Sequence, residues 1–167
     1  MAAVVEIWEL SASMAGTDKT SGTVRFKLAD NQTVDGVNPM TIPSSSVGTR
    51  RSFTKQLRMY CATAPGNYID NLRMYSDGAN TFGTGITVNA TNAGSTWAAN
   101  ATPALTGGSD LFEFRAATPM NIDSVHTASV TATGFFSDLV KLQMVVASTA
   151  SSGILTAETL TFAYDEV

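Results

Sequence analysis

The sequence predicts an all-β fold: a single β-sandwich, jelly-roll or immunoglobulin-like, of about eight strands joined by long ordered loops. Three observations predict it. Short runs alternate apolar and polar residues, the period-two pattern of half-buried strands. Clusters of Gly, Asn, Asp and Pro separate those runs, as turns between strands require. No segment reads as an α-helix of three turns. A chain of 167 residues fits one ordinary domain with a real core. Residues 1–167 are therefore read as one domain, with 1–20 a candidate N-terminal assembly arm.

The expected strands, in order, are 4–10, 22–28, 53–61, 69–75, 85–90, 111–115, 139–147 and 155–164. The second alternates most cleanly, with Val24, Phe26 and Leu28 on one face and Arg25 and Lys27 on the other. Strand 139–147 has a competitor, because Ser137 and Asp138 would suit a helix cap. Its Val140, Val145 and Val146 favour the pleated surface. In the last strand Leu160, Phe162 and Tyr164 share a face.

The tetrapeptide Leu-Arg-Met-Tyr occurs twice, at 57–60 and 72–75, with Ala64-Pro-Gly-Asn67 between the copies. A spacing of 15 residues is too short for a solenoid repeat, and the middle segment has strong turn chemistry. The copies read as successive strands, a hairpin being one arrangement. Leu57, Met59, Leu72 and Met74 are then core, and Arg58, Tyr60, Arg73 and Tyr75 form an outward stripe for a partner.

Three connections are long: 29–52, 91–110 and 116–134, holding Pro39, Pro43, Pro103 and Pro119. Ordered loops of this length are often functional. They carry little charge, so they are expected either to lie against neighbouring subunits or to fold back across the sandwich ends. Trp97, in the second of them, is either an interface anchor or a plug for one end of the sandwich. A contact to a sugar ring is the third reading. Arg50 and Arg51 form the only basic doublet, read either as a solvated loop pair, the commoner outcome, or as a contact for an acidic partner surface.

Composition excludes several functions. The formal charge of −4 argues against nucleic acid, whose partners carry a basic stripe. Cys61 is the single cysteine, so no intrachain disulfide and no cysteine zinc site can form. It reads as a small buried hydrophobe. No apolar run approaches the roughly 20 residues that cross a bilayer, and the N-terminus lacks the basic region of a signal peptide. Synthesis in a reducing cytoplasm is the expectation.

Catalytic chemistry is poorly represented. His126 is the one histidine and lies in a Ser/Thr-rich loop with no nucleophile elbow beside it. Asp70, Asn71, Asp77, Gly78 and Asn80 gather oxygen donors that calcium would accept, yet 76–80 is equally a turn sequence. Three matches to the glycosylation sequon, at Asn31, Asn89 and Asn100, are expected by chance in a chain rich in Asn and Thr. No enzyme activity, metal or cofactor is expected.

The Leu-Arg-Met-Tyr strand, the run A-P-G-N-Y-I-D-N-L-R-M-Y-S-D-G, the strand G-T-G-I-T-V and the close L-T-A-E-T-L-T-F-A-Y-D-E together resemble small β-rich virion proteins of tailed bacteriophages. The similarity covers roughly 53–90 and 141–166. It implies a non-enzymatic structural protein, made in the bacterial host cytoplasm and located in the virion. Its partners would be other virion proteins, major capsid or tail and neck proteins, with no nucleic acid and no membrane contact. A capsid decoration (cement) protein acting as a homo-oligomer is the first expectation. A neck, tail or baseplate component is the alternative, and a host-glycan-binding module the second.

Overall fold

The computed structural model describes residues 2–11, 15–95, 97–124 and 129–167. It is all-β: two antiparallel sheets enclose one apolar core, as the alternation predicted. The larger sheet contains β1 (Val4–Leu10), β2 (Gly16–Asp18), β3 (Thr49–Arg51), β4 (Lys55–Thr63), β6 (Ile86–Asn92), β7 (Ser109–Asp110), β9 (Gly134–Phe135) and β10 (Val140–Ala147). Its main order is β2-β1-β4-β10-β6-β7, with β3 added beside β10 and β9 beside β4. The smaller sheet runs β11-β5-β8, from β5 (Ile69–Ser76), β8 (Met120–Asn121) and β11 (Leu160–Glu166).

Two broken strands explain the branching. Residues 49–63 run along β10, first as β3 and then as β4, with Ser52 bonding Met144 at the break. Residues 134–147 run along β4 as β9 and then β10. Ser137 and Asp138 sit at that second break. Ser137 Oγ accepts the Met59 N–H at 2.9 Å and donates to the Asp138 carbonyl. The pair that would suit a helix cap thus holds an interrupted strand, and 140–147 is extended.

Both copies of Leu-Arg-Met-Tyr are strands, but they do not form a hairpin. The first lies in β4 of the large sheet and the second in β5 of the small one. The segment between them carries the chain across the sandwich. Leu57, Met59, Leu72 and Met74 are all buried in the common core, where Cys61 also sits fully enclosed. Burial pushes the Cys61 thiol up from its ordinary pKa, which suits an inert, packed cysteine.

Three expected strands differ. Residues 22–28 make only an isolated bridge, Lys27 to Pro39. Val24 and Phe26 do pack toward the core, but Lys27 is turned inward to bind Asn31 and Asp35, so the alternation breaks. Residues 111–113 form a 3-10 turn, capped by Asp110, whose side chain accepts the Phe112 N–H. Consecutive Leu111 and Phe112 are both buried, which the two-residue period of a strand would not allow on one face. In the last segment the strand begins at Leu160, and Leu160, Phe162 and Tyr164 do pack on the core together.

The N-terminal residues expected as an assembly arm supply β1 and β2. Val5, Ile7 and Glu9 of β1 sit opposite Cys61, Met59 and Leu57 of β4. Glu9 faces inward and is buried, bonding Lys55 Nζ at 2.8 Å with Lys19 Nζ 3.7 Å from its other oxygen. A buried acid persists only with such partners. Lys55 also holds the Asn31 carbonyl at 2.6 Å and Lys19 the Gln32 carbonyl at 2.9 Å. The loop that follows residue 28 is therefore clamped over this end of the sandwich by buried charge.

The loop between β6 and β7 is clamped differently. Gln56 Nε2 donates to Ala98 O and Asn100 Oδ1, both at 2.7 Å. Gln143 Nε2 reaches the carbonyls of Ser52 and Pro103 at 3.0 and 2.9 Å, and its Oε1 accepts the Leu105 N–H. Gln56 and Gln143 alternate with core residues, so this loop folds back across the outer surface of the large sheet. Neutral amides suit that position, because they bond the loop without burying charge: Gln143 satisfies several main-chain groups, and Gln56 one together with the Asn100 side chain.

Candidate functional site

The outer surface of β1, β4 and β9 carries an aromatic cluster. Strand parity creates it: with Val5 and Ile7 committed to the core, Glu6 and Trp8 must face outward. On β4, Arg58 and Tyr60 do the same. Pairing sets Trp8 opposite Arg58, Glu6 opposite Tyr60, and Tyr60 opposite Phe135. The three rings meet with centroids 5.3 Å (Trp8–Tyr60), 5.9 Å (Trp8–Phe135) and 5.0 Å (Tyr60–Phe135) apart, in tilted or edge-on geometries. These are favourable aromatic arrangements.

Polar neighbours fix the cluster. Arg58 lies over the Phe135 ring at 5.6 Å, within cation–π range. Its Nε donates to the Ser137 carbonyl at 2.6 Å. Burial lowers the Arg58 pKa and Asp138 opposes that shift; the guanidinium remains a cation at neutral pH. Trp8 Nε1 donates to Glu6 Oε2 at 2.8 Å. Beside it, a Cβ on Gly16 would lie 2.4 Å from the Trp8 ring, so only glycine lets the indole lie across β2.

Each of Trp8, Arg58, Tyr60 and Phe135 is only half-buried. The result is a rigid apolar surface with one oriented cation and one carboxylate. It can stack on a planar or apolar partner group and bond a carboxylate or carbonyl. Trp, Tyr and Arg are also the residues that dominate binding energy at protein interfaces.

The expected partner-facing stripe is divided between two surfaces. Arg58 and Tyr60 join the aromatic cluster. Arg73 and Tyr75 lie on the outer surface of the small sheet, on the opposite side of the core. Arg73 bonds Asp165 at 2.7 Å, and Tyr75 borders an open depression of about 310 Å3 with Asp77, Arg115 and Thr161. Arg50 and Arg51 are adjacent on β3, so strand geometry points them to opposite sides; Arg50 bonds Thr41. Trp97 is half-buried and reaches the Ser11 carbonyl at 3.4 Å, at the end of β1.

Asp77 and Asn80 accept the N–H groups of Ala79 and Phe82, and Gly78 has φ +84°. That is turn chemistry. His126 lies outside the described residues. Among the described residues no helix is long and apolar enough to cross a membrane. Trp8 and Phe135 were not singled out from sequence. The parity of Val5 and Ile7 already placed Trp8 outward, whereas nothing local tells which of Phe135 and Phe136 is outside. No family model, curated protein or solved structure matches this chain.

Proposed function

We propose that the protein is a non-enzymatic structural component of a tailed-bacteriophage virion, a capsid decoration protein that bridges and stabilises capsid subunits as a homo-oligomer. The observation that carries the reading is the half-buried cluster of Trp8, Tyr60, Phe135 and Arg58 on a broad, well-paired sheet. A decoration protein needs a stiff body and a preorganised contact face. Rings already packed on each other lose little freedom on binding. In a symmetric shell one modest contact repeats many times, so avidity compensates for a small interface.

The test is to separate heads from tails of the particles that carry this chain and measure it in each fraction. Recovery with heads in fixed ratio to the capsid protein supports decoration. Recovery with tails moves the assignment to a neck, tail or baseplate part. Absence from both fractions overturns the virion reading.

The same rings favour one other reading, a module that binds a host glycan, since indole and phenol faces stack on sugar rings. It requires sugars to quench the fluorescence of Trp8 or Trp97. No response across a glycan array removes it.

A further inference from the structure

The charged end of the sandwich holds a cluster that the docking face does not use. Lys27 is 0% exposed, and its Nζ donates to Asn31 Oδ1 at 2.9 Å and to Asp35 Oδ1. Buried Lys55 holds the Asn31 main-chain carbonyl from another side at 2.6 Å. The Asn31 carboxamide is therefore presented to the Lys27 amine by a fixed backbone. An amine, a carboxamide and a carboxylate are hydrogen-bonded together with the amine out of water, and holding reactants side by side lowers the barrier to their reaction.

We propose that Lys27 and Asn31 join through an intramolecular isopeptide bond, with Asp35 carrying the proton. The Asp35 carboxylate takes a proton from the Lys27 ammonium, and the freed amine attacks Asn31 Cγ. Asp35, now protonated, donates a hydrogen bond to the oxygen of the tetrahedral intermediate. The attacking nitrogen passes a second proton to Nδ2. The Cγ–Nδ2 bond then breaks with its electron pair on nitrogen, and ammonia leaves. Asp35 returns its proton to the ammonia, so an ammonium and a carboxamide yield a new amide and an ammonium ion. No oxidant or cofactor enters.

Hydrogen bonds from Lys27 and the Val37 N–H hold the Asp35 carboxyl below its ordinary pKa, so it starts as the acceptor. Its side chain is 36% exposed, which gives ammonia a way out. The bond closes residues 27–31 into a ring. It would fix the base of a loop whose tip exposes Val34 and Val37.

Intact mass spectrometry of the denatured full-length protein tests this. The expected mass is one ammonia below that of the sequence, with tryptic peptide 26–50 uncut after Lys27. Lys27→Arg keeps the charge, removes the nucleophile and should restore the sequence mass. This variant separates the isopeptide from a succinimide at Asn31, which loses the same ammonia with Arg in place. Asn31→Asp should reach the same final mass as the wild type by losing water, and Asp35→Ala should stay at full mass. A wild-type protein at full sequence mass overturns the proposal, as does an ammonia loss that survives in Lys27→Arg. Neither result bears on the docking face.

Discussion

The two copies of Leu-Arg-Met-Tyr begin alike and end differently. Inward, Leu57 and Met59 of the large sheet and Leu72 and Met74 of the small one are all buried in one core. Outward, Arg58 and Tyr60 are drawn into a packed group with Trp8 and Phe135. Arg73 lies instead on a more exposed surface, paired with Asp165, while Tyr75 borders an open depression. The tetrapeptide encodes which side chains turn in. What the outward pair can do is set by the neighbouring strands, which the tetrapeptide does not specify.

The largest effect should be common to both copies. Leu57→Ala and Leu72→Ala each remove a buried side chain and are expected to cost about 2–5 kcal/mol, read as a fall in the urea midpoint. A clearly smaller cost in either one would mean that the two copies do not share a core. The outward arginines should then part company. Arg58→Ala removes a cation–π contact and a charge-assisted bond to Ser137, a loss of about 1–3 kcal/mol. Arg73→Ala should leave thermal stability nearly unchanged, since exposed ion pairs contribute little. Equal losses would erase the contrast.

The smallest effect is acidic. Bonds from Asn71 and Arg73 hold the Asp165 carboxyl below its ordinary pKa. A depressed folded-state pKa stabilises above the unfolded value of about 3.9 and loses that contribution as pH falls through the folded value. Asp165→Asn should therefore be slightly less stable than wild type near neutrality and converge with it below about pH 4. Added salt should shrink the neutral-pH difference.

Local pattern made the sheets legible. Val5 and Ile7, Leu57 and Met59, and Leu72 and Met74 carry the period of two, and the structure keeps every one of these pairs on the core. The pattern failed where a polar side chain had a buried task. Lys27 reads as the solvent face of a strand but turns inward to Asn31 and Asp35, and Asp110 caps a 3-10 turn where a strand was expected. Partners distant in sequence were invisible as well. The cluster depends on β9 pairing with β4 and β1 pairing with β4, and no local pattern announces which strands will be neighbours.

Binding by the two outer surfaces shows which of them docks. Particles lacking the protein would be titrated with wild type, with Trp8→Ser and Arg58→Ala on the large sheet, and with Arg73→Ala and Tyr75→Ala on the small one. All variants would first be checked for native circular dichroism. Truncating a hot-spot side chain costs about 2 kcal/mol or more, so each large-sheet variant should bind more than about tenfold weaker. The small-sheet variants should bind as wild type does. Full binding by Trp8→Ser and Arg58→Ala, with loss in Arg73→Ala or Tyr75→Ala, would contradict the assignment of the aromatic face as the docking surface.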